Sequence, residues 1–141
     1  MNIEELKELA KKDLKIDTLN LDTESLSTPV IYGRWLDVYH IEIDKLDKMT
    51  SLGKKLRFSM TRYYAGKAPS EAYTKKPLNE SLLKSEIEKF IDASDDWLKY
   101  KDEFNIQSNK VDYIEKILKQ IANRGFSINA AIEWRKFQSG R

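Results

Sequence analysis

The 141-residue chain has no cysteine and one histidine. The first absence excludes a disulfide scaffold, thiol redox chemistry and every cysteine-based zinc site. The second removes multi-histidine metal binding and nearly all histidine-centred catalysis. His40 itself sits next to an apolar stripe, where a structural or surface role is expected. Five glycines and three prolines are too few for the many turns of an all-β fold. No apolar run approaches the roughly 18 residues of a membrane span, and the start Met1-Asn2-Ile3-Glu4-Glu5 is too polar for a signal peptide. Gly53-Lys54-Lys55 lacks the upstream glycine and the following hydroxyl residue of a phosphate loop. The acidic pairs Asp95-Asp96 and Asp44/Asp47 fall on solvated helix stretches or at a cap, a weak basis for a metal nuclease. A cytosolic, helical, non-enzymatic protein is what remains, with no catalytic residue, metal or cofactor expected.

What the chain does have is charge, unevenly placed. Its net charge is +2. Residues 1–53 carry 7 basic and 11 acidic side chains, whereas residues 54–76 carry 7 basic against Glu71 alone. Residues 77–118 return to 6 basic and 10 acidic, and 119–141 carry 5 and 1. A block of net charge +6 in otherwise acidic surroundings is the footprint of a polyanion site, although a basic loop after a solvated helix end would look the same.

Apolar spacing predicts an all-α fold. Glu4 to Leu14 has one stripe of Leu6, Leu9, Ala10 and Leu14, and 15–27 is a connector. Thr28-Pro29 has the form of a helix start, a capping hydroxyl followed by proline in the first turn. From there Tyr32, Leu36, Tyr39, Ile43, Leu46, Met49, Leu56, Met60 and Tyr63 recur at helical steps, predicting one long helix over about 29–64. Gly66 ends it, and 67–78 is a loop. Asn79 or Ser81 opens the next helix, Ser94-Asp95-Asp96 breaks and recaps it, and a further interruption falls near Asn105–Ser108. Arg124-Gly125-Phe126 resembles a glycine cap, and Ser127 then caps a last helix from Ile128. The prediction is a single helical domain, an extended bundle of one long helix and three or four shorter ones. Within it, 1–66 would hold the N-terminal helices with a basic end, and 79–141 the C-terminal helices with an oligomerisation segment.

Two helix faces stand out. On a wheel with Lys54 at 0°, Leu52, Tyr63, Leu56, Met49 and Met60 fall between about 160° and 240°. Arg57 lies at about 300°, Phe58 at about 40°, Arg62 at about 80°, Lys55 at about 100° and Tyr64 near 280°. An aromatic ring among cations is what non-specific single-strand binders use: cations neutralise phosphates while the ring stacks on any base. Packing of Phe58 and Tyr64 against the loop or another subunit is the alternative. In the last helix, Ile128, Ala130, Ala131, Ile132, Trp134 and Phe137 cover more than the roughly 100° stripe of a surface helix. With Arg135 inside that arc, one side is expected to face the chain's own bundle and another a neighbouring copy, through Phe126, Ile128, Ile132, Trp134 and Phe137.

Several short segments resemble the UvsY family of recombination mediators of T-even-like bacteriophages. They are Lys11-Lys12-Asp13 with Ile16-Asp17, Tyr32-Gly33-Arg34-Trp35-Leu36, Tyr63-Tyr64-Ala65-Gly66-Lys67, Arg124-Gly125-Phe126-Ser127-Ile128 and Arg135-Lys136-Phe137-Gln138-Ser139-Gly140-Arg141. Their order and spacing span nearly the whole chain. The resemblance implies a protein without nucleotide or metal, acting in the host bacterial cytoplasm as a ring-like homo-oligomer, a heptamer. It would bind single-stranded DNA coated by the phage single-strand-binding protein and help UvsX, a RecA-like recombinase, replace that coat. Tyr63, Tyr64, Gly66 and Lys67 match the family motif. The family's basic–any–basic pair, however, falls here on Phe58 and Met60, so Lys54, Lys55, Arg57 and Arg62 enter as binding residues from the wheel alone. A helical scaffold that binds only proteins is the alternative function, and an enzyme the third.

Overall fold

The computed structural model describes residues 1–78 and 82–140. Five helices follow in order: α1 Ile3–Leu14, α2 Leu21–Tyr64, α3 Ser70–Lys75, α4 Lys84–Ala93 and α5 Asp95–Gln138. No strand occurs among the described residues. The helix start predicted at Asn79 or Ser81 lies outside them. Packing divides the chain into two compact units, residues 1–43 with 109–141 and residues 44–108. Both α2 and α5 contribute to each.

In the first unit three helices share one core. Leu6 and Ala10 of α1, Ile31 and Trp35 of α2, and Ile114, Ile117, Leu118 and Ile121 of α5 are all buried together. Asn2 starts α1 with a capping box, its side chain accepting from Glu5 N while Glu5 accepts from Asn2 N. Burying Trp35 requires a partner for its ring N–H. Nε1 donates to the buried Asp13 carboxylate at 2.8 Å, and Arg34 pairs with the same carboxylate at 3.4 Å. Asp17 closes the turn before α2, accepting from the Asn20 amide and from Leu19 N. Those two bonds hold its carboxyl below its ordinary pKa, the Asn20 bond contributing most.

The long helix begins earlier than Thr28-Pro29 predicts, at Leu21, and Pro29 lies inside it. Proline removes one helical hydrogen bond and crowds the preceding turn. Here that turn is tied together from outside the ladder. Glu24 O accepts from Ser27 Oγ, Thr28 Oγ1 and the buried Arg124 Nη1, at 2.9, 3.0 and 2.9 Å. Arg124 also donates to Thr28 Oγ1, Lys15 O and the Glu24 carboxylate.

The separate helices predicted after Ser94 are one. α5 runs 44 residues without a break, through Asn105–Ser108 and through Gly125. Gly125 does not adopt the positive φ of a cap, and Ser127 starts nothing. Val111, Ile114, Leu118, Ile121, Arg124 and Ile128 form an unbroken buried stripe, and their burial outweighs the roughly 1 kcal/mol that a helical glycine costs.

The second unit is built around the end of α2, α3, α4 and the start of α5. Ile87 and Ile91 of α4 are buried, and Ser94 recaps the chain as predicted, its Oγ accepting from Trp97 N. At Gly53, α5 packs closely on α2. The Tyr100 ring lies in the space a side chain would fill, its hydroxyl donating to Met49 O at 2.7 Å.

Candidate nucleic-acid interface

α2 ends as its sequence predicts. Gly66 adopts φ +75°, Gly66 N donates to Tyr63 O and Lys67 N to Arg62 O, the paired bonds of a Schellman cap. Arg62 adds a bond from Nη2 to Lys67 O at 2.9 Å. The chain then folds back, and the predicted loop 67–78 contains the six residues of α3.

Two tyrosines hold that return. Tyr63 and Tyr73 stack with ring centroids 5.1 Å apart, Tyr63 Oη donates to Lys76 O at 2.6 Å, and Tyr73 Oη donates to Tyr63 O at 2.7 Å. Ala68 N donates to Tyr73 Oη. Lys67, Lys75 and Lys76, all exposed, are thereby gathered around the end of α2. Tyr73 carries no sequence signal of this role, because its partner is known only once the chain turns back. Together Met60, Arg62, Tyr63, Tyr64, Pro69 and Lys76 help line a cleft of about 410 Å³.

The eight residues predicted to bind nucleic acid all belong to the second unit but divide in character. Lys54, Lys55, Phe58, Arg62 and Lys67 are exposed; Phe58 has 65% of its surface in solvent, with the Arg62 guanidinium 5.9 Å from its ring. Arg57, Tyr63 and Tyr64 are half-buried and engaged. Arg57 pairs with Asp92 at 3.0 Å and lies 4.9 Å over the Trp97 ring, while Tyr64 packs edge-on against Tyr63 and leans on Phe90. The buried face of α2 here is centred nearer Gly53 than the wheel of large apolar residues implied. Arg57 and Tyr64 fall within it, and Leu52 is 60% exposed.

The predicted oligomerisation residues also divide. Phe126, Trp134 and Phe137 are exposed at 73%, 58% and 72%, and Trp134 stacks on Phe137 at 5.5 Å. Ile132 is half-buried, and Ile128 is fully buried within the lone chain, so it is core and not available to a partner. His40 is exposed, edge-on to Tyr39. Among the described residues no group of three or more His, Asp or Glu could hold a metal ion, and no helix is long and apolar enough to cross a membrane.

An all-helical protein presenting lysines, an arginine and an open phenylalanine at one helix end belongs, by its surface, to the class of candidate polyanion binders. Comparison with known proteins narrows this. The profile of the family described as recombination, repair and ssDNA binding protein UvsY matches residues 9–141, and the chain belongs to that family. The recombination protein uvsY of Enterobacteria phage T4 is 26% identical over 144 residues, covering 100% of both chains. The fold matches crystal structures of the bacteriophage T4 recombination mediator protein UvsY. One superposes with a TM-score of 0.87 at 24% identity, covering 99% of this chain and 98% of that one. Another gives 0.85 at 23%, covering 98% and 99%.

Proposed function

We propose that this chain is a non-enzymatic recombination mediator working in the host bacterial cytoplasm. It binds single-stranded DNA at the basic end of α2 and helps a RecA-like recombinase of the UvsX kind displace the phage single-strand-binding protein and nucleate its filament. The observation that carries the reading is the surface formed by Lys54, Lys55, Phe58, Arg62 and Lys67, exposed in a segment with one carboxylate among seven cations. Its mechanism is additive: each copy holds a few nucleotides weakly, and a ring-like homo-oligomer, a heptamer, links those contacts so that the strand is held at high effective concentration. Phe126, Trp134 and Phe137 supply apolar surface for that assembly, in an aromatic row on the side of α5 away from its buried stripe, and the half-buried Ile132 adds to it from the edge of that stripe.

Titration of labelled oligo-dT at several salt concentrations tests the reading. Replacing Lys54, Lys55, Arg62 and Lys67 by Gln lowers affinity for all sequences and reduces the magnitude of the salt slope by about 0.7 for each phosphate no longer neutralised. An unchanged slope moves the site to Lys75 and Lys76 or to the C-terminal basic cluster, and absence of oligo-dT binding by the wild-type chain leaves a scaffold that binds only proteins.

A further inference from the structure

We propose that a second group of residues, on the first turns of α5, continues the single-strand track beyond the α2 surface. Trp97, Tyr100 and Phe104 recur at three- and four-residue steps and so share one face of the helix. Their ring centroids are 5.1 and 6.0 Å apart, with planes inclined at 32° and 37°. All three are half-buried, leaving part of each ring open. With Thr50, Gly53, Lys54, Arg57 and Lys101 they line a cleft of about 200 Å³.

The chemistry of this cleft is selective. Three rings and three cations line it, and no carboxylate does. Arg57 is already paired with Asp92, but Lys54 and Lys101 are exposed, Lys101 with its Nζ 5.9 Å from the Phe104 ring. Asp102 and Glu103 lie at about 140° and 240° round α5 from Trp97, outside the arc of about 300° to 40° that holds the ladder and Lys101. An acidic peptide would use the lysines and leave the rings idle, and a duplex would hide its base faces. A single strand uses both, phosphate on lysine and base on ring.

Lys54 connects the two surfaces. It lines the cleft, and it also begins the row Lys54, Phe58, Arg62 at four-residue steps along α2. A strand held by Arg62 and Phe58 therefore meets Lys54, then Lys101 and Phe104, without leaving this unit. This extension rests on the single-strand reading of α2.

Its test is titration of labelled oligo-dT into the full chain carrying Lys101→Gln or Phe104→Leu, beside a Lys54→Gln/Arg62→Gln control. Lys101→Gln is expected to weaken binding severalfold and to reduce the magnitude of the salt slope by about 0.7. Phe104→Leu, which keeps apolar volume and removes the ring, is expected to weaken it at least fivefold with the slope unchanged. Phe104→Tyr restores the affinity, an outcome that loss of packing alone would not give. Circular dichroism melts check folding, and Lys101→Gln, at an exposed position, carries the test if the Phe104 variant unfolds. Wild-type affinity in both α5 variants, with the α2 control weakened, overturns the extension and leaves the α2 site standing. Weakened binding of poly-glutamate with oligo-dT binding unchanged also overturns it, assigning the cleft to acidic proteins. Absence of oligo-dT binding by the wild-type chain overturns the α2 reading itself.

Discussion

Replacing Gly53 by alanine sets two effects of opposite sign against each other. Helix propensity alone favours the change by about 1 kcal/mol, because glycine is the costlier residue in a helix interior. Gly53, however, is buried against Tyr100. A methyl built there comes within 2.7 Å of Tyr100 Cε1 and nearer still to the phenol end, so the ring must move. Moving it breaks the 2.7 Å bond to Met49 O, worth about 1 kcal/mol, and overpacks the site at about 1–3 kcal/mol. The net expectation is a loss of about 1–3 kcal/mol. Urea unfolding followed by far-ultraviolet circular dichroism measures it, with the midpoint falling at constant slope. In a Tyr100→Leu background the obstacle is gone, and Gly53→Ala should become neutral or stabilising; the coupling between the two sites is the direct measure of the contact. If Gly53→Ala raises the stability of the wild-type chain, the close approach of α5 to α2 is wrong.

Two further predictions concern the first unit. Arg124→Met keeps length but removes every donor to Glu24, Thr28 and Lys15, and should cost about 3 kcal/mol, near the low end for a broken buried ion pair because the Glu24 side chain is 20% exposed. Urea unfolding measures it, and a loss below about 1 kcal/mol would mean that the guanidinium is not what secures the turn before Pro29. Changing Phe126, Trp134 and Phe137 together to Ser should leave the melt of the chain nearly unchanged, since all three are exposed, while lowering the solution mass measured by light scattering. A mass equal to that of the wild type would move assembly to another face of the chain.

Local signals located some helix ends and misplaced others. Gly66 and Ser94 act through bonds to residues within five positions, so the sequence alone is enough to read them. Thr28-Pro29 and Gly125 carry equally good local signals for helix termini, yet both lie inside helices. What overrides them is one residue far away in sequence: Arg124, buried next to Gly125, binds Glu24 and Thr28 in the turn before Pro29. A contact across some hundred residues leaves no periodic trace. The site shows the same division. The cationic block and the open Phe58 were legible from charge and wheel position, whereas Tyr73 and the α5 ladder depend on how the chain returns.

Gly53 explains why the wheel places Arg57 on the open face, and the consequence reaches function. A wheel weighted by large apolar residues treats glycine as a gap, but in this unit the missing side chain marks a close contact with Tyr100, which turns the buried face towards Arg57 and Tyr64. Arg57 is then held by Asp92 and Trp97 and contributes little free charge. The row along α2 then keeps Lys54, Lys55 and Arg62 as open cations with the Phe58 ring between them. On the proposed function, fewer counterions are then released per copy than the charge count implies, and a larger share of affinity comes from stacking at about 1–3 kcal/mol per base. Such binding loses less to added salt than a purely cationic surface of the same affinity. It is also insensitive to base identity, because every base has a face to stack.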